Sequence, residues 1–344
     1  MAGQQAVESA IVRRREAVND AIDDDLPLEE PQELYEASRY LLKAGGKRLR
    51  PTILLLVAES LADVPPQSTD YRTFPAANGD EIDVLTAAVS IEIIQSFTLI
   101  HDDIMDDDDV RRGVTAVHRE YGLSTAILAG DTLYAKAFEN MLATGATADR
   151  SVRALSELAR TCTRICEGQS LDISFEDRTG IAPEEYLDMI ELKTAVLYAA
   201  AASIPAVILG HEDAVEPLYE YGLDIGRAFQ IQDDLLDLTT PTEKLGKQRG
   251  SDLVEGKQTL ITVHAREQGV DVDSLVDTDS VEAVTERDID EAVARLEEVG
   301  SIEYARETAR EYVRNGKEQL QHLPDNDARR LLEGIADYLI QREY

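Results

Sequence analysis

Two stretches of this chain, Leu85 to Met105 and Leu218 to Leu238, are apolar on nearly every side when wound as helices, and each runs into a cluster of aspartates. A helix that is apolar all round must be enclosed by other helices, so both are expected to be central elements of a bundle. Elsewhere apolar positions recur at three and four residues from about Ala6 to the end, with Ala, Leu and Glu common and alternating β-branched runs few. The fold class expected is therefore all-α: one large single-domain helical bundle over residues 1–344. Breaks fall at Leu26-Pro27, Gly45-Gly46, Gly113, Thr179-Gly180 and Pro241 to Gly250. The polar stretches 63–83 and 268–288 read as surface insertions.

The clusters are Asp102-Asp103-Ile104-Met105-Asp106 and Asp233-Asp234-Leu235-Leu236-Asp237. At 3.6 residues per turn Asp102 lies over Asp106, and Asp233 over Asp237, so each pair can share a cation. Two such pairs facing each other would make a polynuclear oxygen site. Oxygen ligands without nearby His or Cys select Mg²⁺, with Mn²⁺ as an alternative, and Mg²⁺ on few carboxylates leaves positions for substrate phosphates. A diphosphate is the substrate this chemistry predicts. At 100° per residue Gln95, Thr98, Asp102 and Asp106 share one face, while Gly222, Gly226, Phe229, Asp233 and Asp237 share another. Each face continues into small or apolar residues, as expected of a deep central pocket with a charged mouth. The glycines fit a pocket wall and a close helix contact equally well.

A formal charge of −34 excludes a nucleic-acid or anionic-membrane surface as partner. Only eight residues are lysine, and acid excess with few lysines predicts a halophilic, salt-requiring fold, because concentrated salt screens self-repulsion. Most acids then belong to a solvated surface, Asp108 and Asp109 among them. Cys162 and Cys166 are too few for a disulfide framework or a zinc site and read as reduced core thiols. With no signal peptide and no apolar run judged long and clean enough to span a bilayer, a cytoplasmic protein is expected.

The few cations are placed where anions would be held. Gly45-Gly46-Lys47-Arg48-Leu49-Arg50-Pro51 ends one helix and starts the next, which reads as an anion cradle. Arg111-Arg112-Gly113 directly follows the first acid cluster. Lys193 interrupts an Ala-rich apolar helix expected from Tyr186 to Leu209, where an unpaired lysine is costly. Lys247 and Lys257 flank Gly250-Ser251-Asp252, just past the second cluster.

In this order, and joined by Gly168-Gln169, Lys193-Thr194 and Phe229-Gln230-Ile231-Gln232-Asp233-Asp234, the motifs closely resemble those of the trans-isoprenyl diphosphate synthases, the farnesyl and geranylgeranyl diphosphate synthase family. The resemblance implies an isoprenoid synthase fold, a homodimer, and three Mg²⁺ held by Asp102, Asp106 and Asp233. It makes Arg111, Lys193, Thr194, Gln230, Lys247 and Lys257 contacts of the allylic diphosphate (dimethylallyl, geranyl or farnesyl). Lys47, Arg50, Gln95 and Arg112 would take isopentenyl diphosphate, with Gln95 standing where many members carry His. His101 and His118 are expected to be structural. The positions said to set product length are Phe97 and Thr98; one aromatic beside a small residue resembles the archaeal geranylgeranyl (C20) type. The rival readings are a farnesyl or bifunctional short-chain synthase, a terpene cyclase, and a non-catalytic partner subunit.

Overall fold

The structure, a computed structural model, describes residues 2–176, 178, 180–241, 248–276 and 283–341. Its helices are α1 Ala2–Asp25, α2 Gln32–Lys43, α3 Leu49–Leu61, α4 Val84–Met105, α5 Val117–Glu120, α6 Leu123–Leu142, α7 Ala148–Glu176, α8 Pro183–Ile190, α9 Val196–Leu209, α10 Glu212–Thr239, α11 Ser251–Val254, α12 Leu260–Glu267, α13 Glu286–Glu298, α14 Ser301–Gln319 and α15 Asp327–Gln341. Strands among the described residues are two antiparallel pairs of two residues each: β1 Phe74–Pro75 with β2 Glu81–Ile82, and β3 Val110–Arg111 with β4 Val114–Thr115. The fold is all-α, as the periodicity predicts.

The chain groups into two compact units. The first comprises Met1–Cys162, Ala200–Tyr219 and Leu320–Gly334. Its core helix is α4, against which α6, α3 and α1 pack. Residues from Val84 to Ile94 are buried all round, including the polar Thr86, Ser90 and Glu92, as the unbroken apolar pattern requires. Asp83 fixes where α4 begins: its carboxylate accepts from the Thr86 N–H at 2.8 Å and from Arg72, which also binds Asp25 at the end of α1. The segment 63–83 is more than a surface excursion. Its Tyr71, Phe74 and Ile82 are buried, and Gly79 turns the β1–β2 hairpin with φ of 87°.

The second unit comprises Thr163–Ala199, Glu220–Gln319 and Ile335–Tyr344. Phe175, Tyr186, Ile190, Ile231, Leu235 and Leu260 lie in its core. Here the glycine stripe acquires one meaning. A Cβ on Gly222 would collide with Tyr198 and Ala199, and one on Gly226 with Ala195, so α10 meets the 195–199 backbone directly. The helix expected from Tyr186 to Leu209 is not uniform: a π turn, Glu191–Ala195, separates α8 from α9.

One sequence expectation needs correction. Val84–Met105 and Pro183–Leu209 are both long and apolar enough to cross a membrane by length and composition. Their best windows are 78% and 89% buried by the protein itself, which is how core helices of a bundle satisfy the same pattern.

Candidate active site

In the first unit the acidic end of α4 separates its aspartates by environment. Asp102 is half-buried, Asp106 is exposed and caps the helix with its N–H on the Asp102 carbonyl at 2.8 Å, and Asp103 is fully buried. Asp103 accepts from Arg111 Nε at 2.5 Å, while Arg111 Nη2 binds Asp108 at 2.6 Å. Burial pushes the Asp103 carboxyl up to about 6 against the pull of Arg111. Asp108 thus serves Arg111, whereas Asp109 pairs with Arg119 at the surface.

The two arginines are presented by a hairpin. Arg112 and Gly113 are both left-handed, with φ of 53° and 76°, which suits the two-residue turn joining β3 to β4. Arg111 therefore lies on the strand beside Asp103, and Arg112 turns away to the loop after α2. There its Nη1 donates to the Gly45 carbonyl at 2.5 Å and to Leu41 at 3.3 Å, and its Nη2 reaches Glu92 at 3.3 Å. Glu92, buried on α4, also binds Arg48. Arg48 is 2% exposed and held left-handed at φ 51°, so within the Lys47–Arg50 run it is a structural post, with exposed Lys47 and half-buried Arg50 on either side. Gln95 is half-buried one turn below, and its carbonyl accepts from Thr98 Oγ1 at 2.9 Å. Phe97 stacks edge-on against Tyr134 at 5.4 Å and His101 at 5.1 Å, on the α4 side facing α6 and away from Asp102. His101 itself packs over Gly130 of α6.

In the second unit the cluster Asp233-Asp234-Asp237 divides three ways. Asp233 is half-buried. Asp234 is buried, accepting from the Tyr186 hydroxyl and from Gln230 Nε2 at 3.0 Å, and burial pushes its carboxyl well up. Asp237 departs from the expected role as a twin of Asp233. It is 1% exposed and accepts from Ser251 Oγ at 2.9 Å and the Asp252 N–H at 3.2 Å, anchoring the start of α11. Because Gln230 gives its amide N–H to Asp234, its carbonyl is left to accept from Thr194 Oγ1 at 2.9 Å. Lys193, beside Thr194 in the π turn, binds Asp172 of α7. Gly168 of α7 touches the Lys193 backbone so closely that a Cβ would not fit. Lys257 lies near Glu255 at 2.9 Å and Asp252 at 4.0 Å. Lys247 falls outside the described residues.

The sequence did not disclose the π turn, the Asp237 anchor or the burial of Arg48. A non-glycine left-handed residue, an i→i−5 bond and a carboxylate anchored by a distant loop have no composition signal.

The fold, two core helices ended by aspartates in an otherwise helical chain, is that of the isoprenoid synthases. The chain belongs to the polyprenyl synthetase family: that family's model matches residues 31–296, a span reaching into both units. It is 68% identical over 345 residues to a geranylfarnesyl diphosphate synthase of Natronomonas pharaonis, covering 100% of both chains. A geranylgeranyl diphosphate synthase of Methanosarcina mazei is 49% identical, with 97% of each chain covered. Among solved structures, the geranylgeranyl pyrophosphate synthetase of the archaeon Geoglobus acetivorans superposes with a TM-score of 0.84 at 44% identity, covering 96% of this chain and 99% of the other. The chain is thus a trans-isoprenyl diphosphate synthase, a prenyltransferase.

Proposed function

We propose that the protein, acting as one synthase domain, condenses isopentenyl diphosphate with allylic diphosphates up to the C25 product, geranylfarnesyl diphosphate. The observation that carries the C25 length is the 68% identity, over the whole chain, to a geranylfarnesyl diphosphate synthase. Phe97 is consistent with a long product: its ring lies against Tyr134 and His101, so it places no aromatic on the Asp102 face of α4 beside small Thr98. Geranylgeranyl diphosphate (C20) is the second reading, favoured by the Methanosarcina and Geoglobus relatives.

Asp102, Asp106 and Asp233 are the carboxylates assigned to Mg²⁺. Among the described residues no three His, Cys, Asp or Glu side chains stand close enough to hold a metal by themselves. The donor chemistry fits Mg²⁺ shared with a diphosphate, since the half-buried and exposed aspartates offer hard oxygens one helical turn apart. Bound there, Mg²⁺ would supply Lewis-acid pull on the departing diphosphate oxygens. Lys193, Thr194, Gln230, Arg111, Lys247 and Lys257 hold the allylic diphosphate; Lys193 and Arg111 exchange their present carboxylate partners for phosphate. Lys47, Arg50, Gln95 and Arg112 orient isopentenyl diphosphate, whose double bond attacks the allylic carbon as diphosphate leaves; that diphosphate accepts the proton lost from the product.

We read the active form as a cytoplasmic, salt-adapted homodimer. The dimer reading rests on α6, which exposes Leu123, Ile127, Leu128, Tyr134 and Leu142 in a chain of net charge −34. The deciding experiment supplies isopentenyl diphosphate with each allylic primer, in Mg²⁺ and high KCl, and measures product length. A C25 product is expected and C20 would favour the second reading; a C15 stop, or no condensation, rejects the proposal. Asp102→Ala should cost at least about 100-fold in turnover while far-ultraviolet circular dichroism stays unchanged; a near-normal rate would remove Asp102 from the metal set.

A further inference from the structure

The π turn that carries Lys193 and Thr194 is strapped in place from outside. Glu191, its first residue, forms an ion pair with Arg227 of α10, and Ala195, its last, lies against Gly226, the neighbour of Arg227. Arg227 is itself held from two further directions. Its Nη1 lies 3.4 Å from Asp224 Oδ1, and its guanidinium stacks 5.2 Å over the ring of Tyr312, from α14. α14 can come this near because Gly316, one turn along, meets Asp224 and Ile225. The Arg227 side chain is 19% exposed and that of Glu191 22%, so the pair is largely withdrawn from solvent.

We propose that Arg227 and Glu191 are positioning residues for the allylic diphosphate, acting by holding the 191–195 turn in its π form. A π turn carries one residue more than an α turn and is disfavoured in isolation, so it persists where tertiary contacts hold both ends. Relaxation to regular α-helix would rotate Lys193 and Thr194 by about 100° relative to one flank. Lys193 would leave Asp172, and Thr194 would leave Gln230. The strap contacts neither substrate; it decides where two phosphate-binding groups stand. This inference rests on the roles proposed above for Lys193 and Thr194.

The test uses Arg227→Met, Glu191→Met and the charge-swapped double variant Glu191→Arg with Arg227→Glu, all in the full-length protein. Each single variant should raise the KM for the allylic diphosphate about 10- to 100-fold while the isopentenyl KM moves less than about twofold. The swap should recover part of that loss, since it restores the pair. Amide hydrogen exchange across residues 190–196 should accelerate in the single variants without substrate present. Unchanged exchange there would overturn the inference even if synthase activity is confirmed. A parallel loss for both substrates together with a fall in melting temperature would also overturn it, by marking the pair as merely structural. Absence of prenyl transfer by the unmodified protein would instead reject the functional reading, leaving the exchange result to judge the strap.

Discussion

The guanidinium of Arg112 fills the space a side chain on Gly46 would need: a Cβ there would lie 3.0 Å from Arg112 Cζ, while Arg112 Nη1 takes the Gly45 carbonyl at 2.5 Å. Gly46 also sits at φ 147°, where L side chains are rarely found. Gly46, in the loop after α2, therefore makes room for an arginine from the β3–β4 hairpin. Gly46→Ala should displace Arg112 and raise the isopentenyl KM about tenfold or more, with the allylic KM little changed. Equal KM values in variant and parent would separate Arg112 from isopentenyl recognition.

Thr98 is buried on the Asp102 face and ties its hydroxyl to the Gln95 carbonyl. Thr98→Phe places an aromatic where Phe97 does not put one, so the final product should shorten by about one isoprene unit or more. Chromatography of the dephosphorylated products gives the answer. An unshortened product would take Thr98 off the pocket wall.

Much of this was legible in the primary structure because two signals are strong. An all-apolar helix admits few placements, and hard-oxygen clusters at its end admit few chemistries. The helices and most of their breaks follow from them, whereas Asp108, expected among the solvated acids, is half-buried on Arg111. Three things were hidden for physical reasons. Asp237 sits on the same helical face as Asp233, yet bonds to Ser251 and Asp252 take it inward, a tertiary choice that periodicity does not record. Arg48 reads as one of a basic trio but is buried on Glu92, because a left-handed residue before α3 reverses its direction. The apolar strength of Val84–Met105 matches a bilayer span as well as a bundle core, and only the helices packed around it distinguish the two.

Asp224 offers a pH test of the Arg227 surroundings. Burial pushes its carboxyl up to about 6 from 3.8, against the pull of Arg227 and with help from Glu220 and Glu191. A raised carboxyl means that the fold prefers the protonated form: the ionised form is penalised in full above about pH 6, and the penalty fades as pH falls toward 4. Asp224→Asn removes the ionisation and should stabilise the protein by about 1–3 kcal/mol at pH 8, an advantage that vanishes near pH 4. Thermal melts of both proteins across that range decide. A destabilised variant at pH 8, or an offset independent of pH, contradicts the assignment.

Leu128, more than half exposed on α6, is a direct probe of the proposed dimer face. Leu128→Glu places a carboxylate where two apolar surfaces would meet and should shift the protein toward monomer by light scattering at assay salt. A monomeric parent rejects the dimer, and a variant that stays dimeric moves the interface elsewhere.

The tight β3–β4 turn makes the chain sensitive to its length at this spot. Arg111 ends the strand and Arg112 opens the left-handed turn, so two adjacent cations leave in different directions, one to Asp103 and the other to the Gly45 carbonyl. A third residue in the turn would move Arg112 relative to Arg111 without removing either charge, so a single peptide unit of loop length keeps the two destinations apart.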